Sequence, residues 1–286
     1  MNVHTAHRRR RIGKRQIAML FKYALIAVLC VIFLSPFVVM ITTSFKSNSD
    51  AFTLPVKILP RTVVLTNFSE ATSKIPYFLY YRNTIFITVL SVLGQVLVTP
   101  MIAYSLSKIR WKGAPLISGL LMATMMIPHA VTMIPVYKIW STLKLTNTYA
   151  PLILPCFFGS SFNIIIVRQF FNGLPNSLFE AAKIDGANEL QRYYMIALPL
   201  SKPALTTIGI YAFLNAWSDY MNPLIYINKQ EKYTLSLGLQ SYMSQFAINW
   251  PHLMAAATLF VIPVVIFFAI FQRNFVEGVA TTGMKA

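Results

Sequence analysis

The sequence predicts an all-α polytopic membrane protein with six transmembrane helices. Three observations carry that prediction. Of 286 residues, 56% are apolar and only 12% charged; long intervals contain no Asp, Glu, Lys or Arg; and basic residues gather at the ends of those intervals. Soluble domains usually hold about 25% charged and about 45–50% apolar residues. The composition therefore excludes an ordinary soluble enzyme, and its hydrophobicity excludes intrinsic disorder. A net charge of +17 suits either a nucleic-acid binder or a membrane protein with basic loops on one side. The positions of the charges decide between them.

A charge near the bilayer centre costs about 2.5–3.5 kcal/mol on insertion scales, and about 20 apolar residues cross the hydrocarbon core. Uncharged intervals therefore mark the spans. Lys22 to Lys46 encloses 23 such residues, Arg82 to Lys108 encloses 25, Lys112 to Lys138 encloses 25 and Lys144 to Arg168 encloses 23. These give four helices. A fifth is expected at about 203–226 with Asp219 towards its far end, and a sixth at about 252–272, after a polar stretch around Gln240 and Asn249. Pro128, Pro135, Pro151 and Pro155 are expected to bend or break helices three and four. Backbone groups freed by such breaks must line a cavity or find neighbouring partners.

Six spans put both termini on one side. Arg8, Arg9, Arg10, Arg11, Lys14, Arg15 and Lys22 precede the first apolar stretch, which reads as a cytoplasmic topology anchor. With both termini cytoplasmic, inside segments hold 16 Lys/Arg and outside segments nine, five of them in one long outer segment. The expected organisation is a basic cytoplasmic tail (1–22), a first transmembrane helix (23–45), an outer segment (46–82), a transmembrane core (83–272) with an inner loop at 175–203, and a cytoplasmic C-terminal tail (273–286). The first apolar stretch exceeds the 7–15 residues of a signal-peptide core and no small-x-small cleavage site precedes Lys46, so it is expected to remain. Cys30 and Cys156 fall inside predicted helices and read as small packing residues rather than a disulfide. Nucleic-acid binding is not expected, because the basic residues are spread over several loops.

Catalytic patterns are nearly absent. No G-x-x-x-x-G-K-[ST] occurs, so ATP, if it drives this protein, binds another chain. His4, His7, His129 and His252 are too scattered for a metal cluster; His129 is open to a cavity-lining or a packing role. Ser105-Leu106-Ser107-Lys108 matches S-x-x-K but lacks the accompanying motifs of that enzyme class. Asn67-Phe68-Ser69 is a glycosylation sequon by pattern only. No cofactor, metal or catalytic residue is expected on this chain.

The inner loop differs from the other connections. It carries Glu180, Asp185 and Glu189, three of the eight acidic residues of the chain. Ser177-x-x-Glu180 fits a capping box after Leu174-Pro175, Ala181-Ala182-Lys183 continues the helix, and Gly186 supplies the left-handed residue that ends it. A second amphipathic turn through Leu190, Tyr193, Tyr194 and Met195 follows, with Pro199 and Pro203 leading into the next span. Two short helices around a glycine bend could anchor in lipid. The small Ala181-Ala182 face favours close packing by a partner instead, and Glu180 and Asp185 would suit its Arg or Lys.

Glu180-Ala181-Ala182, Gly186 and Ile196-Ala197-Leu198-Pro199 reproduce E-A-A-x(3)-G-x(9)-I-x-L-P at full spacing. On these residues the chain resembles the permease subunits of binding-protein-dependent ABC importers. Asn215-x-Trp217-x-Asp219-Tyr220-x-x-Pro223-Leu224, Lys232-Tyr233-Thr234-Leu235 and Asn274-Phe275-Val276-Glu277-Gly278 resemble the carbohydrate-uptake branch, and within it the shorter, maltose-permease G-like subunits. The resemblance covers roughly residues 20–286. It implies the type I importer transmembrane fold and alternating access. It implies as partners a second homologous permease, two ATP-binding subunits carrying ATP and Mg, and an extracytoplasmic solute-binding protein that docks on 46–82 and 227–251. A carbohydrate is the implied cargo. In the resemblance, Glu180, Ala181, Ala182, Asp185, Gly186, Ile196, Leu198 and Pro199 belong to a coupling loop seated in a groove of the ATPase. A permease of the same architecture for a non-sugar solute, and a secondary transporter or channel, are the competing classes.

Asn215, Trp217, Asp219, Tyr220 and Asn222 lie near the expected outer end of helix five. Trp217 and Tyr220 fit an interfacial aromatic belt. Asp219 must face a wet cavity, a partner or the interface. Anchoring and a place on the translocation path both stand open for this group.

Overall fold

The fold is known from a computed structural model, which describes residues 14–53, 55, 57–244 and 249–283. Among these residues the regular structure is entirely helical. The principal helices are α1 (Lys14–Ser44), α2 (Thr66–Lys74), α3 (Tyr77–Ser107), α4 (Ala114–Met125), α5 (His129–Thr142), α6 (Ser161–Asn172), α7 (Asn176–Ile184), α8 (Glu189–Arg192), α9 (Lys202–Ser218), α10 (Met221–Tyr226), α11 (Leu235–Ser244) and α12 (Trp250–Gly283). Four helical stretches are long and apolar enough to cross a membrane: Ala18–Ser44, Tyr77–Ser107, Ala150–Asn172 and Trp250–Gln272. Two bent pairs, α4 with α5 and Glu189–Leu200 with α9, bring the number to six if each pair is one span.

The departures from a straight six-helix bundle fall at Pro128, Gly159, Ser201 and Asp219. The expected third helix is two helices bent by 107°. Pro128 stands in extended conformation between them, at φ −58° and ψ 136°. Pro135, by contrast, sits inside α5 without ending it. Pro151 and Pro155 occupy first-turn positions, where a missing N–H costs nothing. The break before α6 comes instead at Gly159, whose φ of +79° suits glycine. The fifth span is also shorter than expected. It ends at Ser218, and Asp219 turns out of the helix at φ −64° and ψ 117° before the short α10.

α3 is the central element. It packs on α6 and α9 and buries a polar stripe of Thr84, Thr88, Ser91, Gln95 and Thr99 at helical spacing. Gly94 lets the chain around Phe157 approach this helix; a Cβ there would lie 2.9 Å from the ring. Two apolar clusters brace its ends. One gathers Tyr104, Phe171, Phe179 and Tyr193 near the α7–α8 loop, and the other gathers Tyr80, Leu235, Tyr242 and Ala255 at the opposite end.

α1 packs along α12, yet no residue of its most apolar window is buried. Cys30 is accordingly exposed on α1 rather than a packing residue, because that face has no neighbour among the described residues. Cys156 is half-buried, and the two are unpaired. The described residues of the 46–76 segment fold onto the bundle. Buried Asn67 donates its amide to the carbonyls of Ser44 and Lys46 at 2.8 Å each. That residue is therefore a structural tie, and its sequon is not displayed. The basic tail 1–13 and residues 284–286 lie outside the described residues.

Candidate functional site

The loop after α6 is built as a helix, a glycine turn and a second helix. α7 begins at Asn176, two residues before the start expected from a Ser177 cap, and Pro175 takes the N-cap position with no side-chain cap. The capping box expected from Ser177 and Glu180 is therefore not made, since Ser177 already lies inside the first turn. A capping box does form at α8, where Gln191 N–H donates to Asn188 Oδ1 (2.9 Å) and Asn188 N–H to Gln191 Oε1 (2.8 Å). Gly186 holds the left-handed conformation at φ +84°. Its N–H donates to the Lys183 carbonyl (3.1 Å), and Ala187 N–H donates to that of Ala182 (2.9 Å). These two bonds define a Schellman cap, which satisfies the last carbonyls of α7.

Glu180, Ala181, Asp185 and Gly186 are exposed, with Ala182 half-buried. Neither the Glu180 nor the Asp185 carboxylate makes a hydrogen bond or ion pair among the described residues. Ile196 and Leu198 pack against the apolar cluster beneath, while Pro199 is exposed in the turn Leu198–Leu200. Phe179, buried to 6% exposure, roots α7 in the same cluster. Ile184 was not singled out by its sequence, yet at 86% exposure it is an apolar side chain held at the tip beside two free carboxylates. Such a tip lacks an apolar neighbour and presents a contact surface.

Lys108 belongs to this end too. Its Nζ donates to the Leu174 carbonyl and to Asn176 Oδ1, both at 2.9 Å, and lies 4.8 Å from the Phe179 ring centroid. Burial pulls its pKa below the ordinary lysine value. Ser107 Oγ donates to the Tyr104 carbonyl (3.3 Å). The S-x-x-K match is thus a structural tie between α3 and the loop.

The second feature is a cavity of about 610 Å³ lined by α3, α5, α9 and the α9–α10 junction. It brings together Asn215, Asp219 and Asn222 with His129, Trp140, Ser91, Gln95 and Asn163. Among the described residues lining it there is no lysine or arginine. Asp219 accepts the Asn222 N–H on Oδ1 (3.1 Å) and the Asn222 amide on Oδ2 (2.9 Å), so it caps α10 while facing the cavity. Trp217 points elsewhere. It is 2% exposed, donates its indole N–H to the Phe260 carbonyl (3.1 Å) and packs among Tyr81, Phe213 and Phe260. It is an interhelical anchor rather than a member of an aromatic belt. Tyr220 is half-buried and does not line the cavity.

Sequence reasoning missed Ser91, Gln95 and Asn163. Gln95 Oε1 accepts Thr99 Oγ (3.0 Å), Ser160 N–H (3.2 Å) and the Asn163 amide (3.2 Å), which fixes a polar floor between α3 and α6. The signal was present: polar residues at 84, 88, 91, 95 and 99 follow a helical period within a charge-free span.

A bundle of membrane-spanning helices that encloses a polar cavity and displays an exposed helix–glycine–helix loop is the architecture of a permease. Residues 97–281 match the family described as binding-protein-dependent transport system inner membrane component, and the chain belongs to that family. It is 30% identical over 253 residues to the arabinooligosaccharides transport system permease protein AraQ of Halalkalibacterium halodurans, covering 87% of this chain and 90% of the relative. It is 31% identical over 258 residues to the probable starch degradation products transport system permease protein AmyC of Thermoanaerobacterium thermosulfurigenes, covering 90% and 94%. Its fold matches a chain of a bacterial ABC transporter involved in import of the acidic polysaccharide alginate. The TM-score is 0.81 at 25% identity, covering 92% of this chain and 98% of that one. The protein is a multi-pass component of the cytoplasmic membrane, a transport subunit rather than an enzyme, working with a solute-binding protein.

Proposed function

We propose that this chain is one permease subunit of an ATP-driven importer that carries a carbohydrate, of di- or oligosaccharide size, into the cytoplasm by alternating access. The observation that carries the reading is the α7–α8 loop: a capped, rooted helical element whose exposed tip presents the side chains of Glu180, Asp185 and Ile184 with no partner among the described residues. That is what a mechanical contact with a separate ATPase requires. ATP and Mg belong to two such ATP-binding subunits, a second homologous permease completes the pathway, and the loaded binding protein docks on 46–82 and 227–251. The termini and the loop lie on the cytoplasmic side. ATP and the loaded binding protein must each favour the outward-open state by differential affinity, or neither could drive the cycle.

The cavity supports the carbohydrate reading. Asn215, Asn222, Gln95 and Asn163 offer amides, Ser91 a hydroxyl and Trp140 an apolar face, which together match the hydroxyls and C–H faces of a sugar. The relatives that transport arabinooligosaccharides and starch degradation products support the same cargo class. The test is uptake by the reconstituted importer in proteoliposomes, with labelled arabino- and malto-oligosaccharides and ATP supplied inside. Glu180→Arg and Gly186→Pro should each abolish ATP-dependent uptake. Uptake surviving both substitutions, or proceeding without ATP, would overturn the proposal.

A further inference from the structure

The α7–α8 loop is joined covalently to α6 through Gly173-Leu174-Pro175 and to α9 through a 76° bend around Ser201. Both connections are turns, which transmit a push poorly. The noncovalent ties run elsewhere. Lys108, at the end of α3, holds the α7 side through the Leu174 carbonyl and Asn176 Oδ1. One helical turn earlier, Tyr104 holds the α8 side: its hydroxyl donates to Glu189 Oε2 at 3.2 Å, and Glu189 is paired with Arg192 at 2.5 Å. The Tyr104 ring is itself wedged among Phe171, Phe179 and Tyr193, the last at 5.2 Å between centroids. The two ties therefore grip opposite sides of Gly186.

We propose that Tyr104 and Lys108 are positioning residues that clamp both halves of the loop onto the end of α3, so that movement of the loop is delivered to α3 as a unit. The proposal rests on the coupling reading above and names the helix that receives the motion. α3 is suited to receive it. It continues as one helix, through Pro100, from its C-cap Lys108 to the cavity wall at Gln95 and Ser91, about 20 Å and about 25 Å away at 1.5 Å per residue. Two acceptors matter at Lys108: the Leu174 carbonyl and the Asn176 side-chain oxygen, either side of Pro175, together fix a direction, whereas a single bond would leave a swivel.

The test uses the complete importer in proteoliposomes, with transported oligosaccharide and hydrolysed ATP measured on the same sample. Lys108→Met keeps the length of the side chain and removes its donors; solute moved per ATP should fall about fivefold or more. Lys108→Arg, which can still donate to both acceptors, should recover most of that ratio. A role in folding alone would lower both rates together and leave the ratio unchanged, which would overturn the proposal.

A second arm leaves the fold intact. In a background lacking Cys30 and Cys156, Lys108→Cys with Asn176→Cys is joined by a short thiol cross-linker. The uncross-linked double variant lacks the Lys108 tie and should be as poorly coupled as Lys108→Met. If α3 and α7 move as one, the cross-link should restore solute moved per ATP, and no recovery would overturn the clamp. Gly186→Pro serves as the control for the underlying reading. If it uncouples while Lys108→Met does not, the clamp fails alone; if it leaves the ratio unchanged, the coupling reading fails with it.

Discussion

Gly186 separates two reasons why a loop residue can be glycine. The residue sits at φ +84°, and a Cβ built there meets nothing within 4 Å. Within this chain the demand is therefore purely conformational. For an L-residue the left-handed conformation costs roughly 1–2 kcal/mol, and asparagine adopts it more readily than alanine. If the cap fails to form, the bonds from Gly186 and Ala187 N–H to Lys183 and Ala182 go with it, and the tip loses its shape. A penalty of 1–2 kcal/mol on the binding-competent loop corresponds to about 5–30-fold. Purified ATPase titrated onto permease complexes in nanodiscs should accordingly bind Gly186→Ala about 5–30-fold more weakly than wild type, with Gly186→Asn losing less. The alternative is that the glycine makes room for the partner. Asparagine, the larger residue, would then be the more harmful. Binding lost equally, or more, with Gly186→Asn would refute the conformational argument.

Two further outcomes test the packing. Trp217→Ala should destabilise the detergent-solubilised protein by about 3 kcal/mol, the low end for a large buried aromatic because lipid is as apolar as the core. Trp217→Phe should cost less while still losing the bond to Phe260, and thermal unfolding monitored by fluorescence measures both. At Asn67 the order of harm should reverse the order of size change. Asn67→Ala removes two buried donors and costs about 1–3 kcal/mol. Asn67→Asp is isosteric but sets an acceptor against the carbonyls of Ser44 and Lys46, so its melting temperature should fall further.

Most of the fold was legible because a bilayer penalises charge so heavily that charge-free intervals nearly define the spans. The same rule is blind to where a span breaks. Four prolines looked equivalent in sequence, yet Pro128 alone stands between two helices bent by more than a right angle, while Pro135 is absorbed within α5. The difference is context: Pro128 itself is extended and precedes the first turn of α5, where no N–H is needed, and the next residue, His129, lines the cavity. The loop was legible for a different reason. Its chemistry is local, so Gly186 and the E-A-A run announce themselves in consecutive residues. Even there the cap moved from Ser177 to Asn188, because Pro175 had already set the start of α7.

The cavity was the least legible part, and its composition explains why. Searching for intramembrane charge finds Asp219, which is half spent on capping α10, and passes over Ser91, Gln95 and Asn163, which are neutral. Neutral polar side chains cost far less to insert than a carboxylate, so a span can carry five of them on α3 and still read as apolar. What distinguishes them is phase. Thr84, Thr88, Ser91, Gln95 and Thr99 share one face, and a membrane helix that confines its polar groups to one stripe must turn that stripe away from lipid, towards protein or water. α3 does both along its length. Thr84 accepts the Leu235 N–H at one end, Ser91 and Gln95 line the cavity in the middle, and the same helix ends at Lys108 in the loop. One helix thus touches every part that has to move together. Within the stripe Ser91 and Gln95 answer to the cavity, so their substitutions belong with the transport assays, whereas Thr84, which holds the Leu235 N–H, belongs with the stability ones.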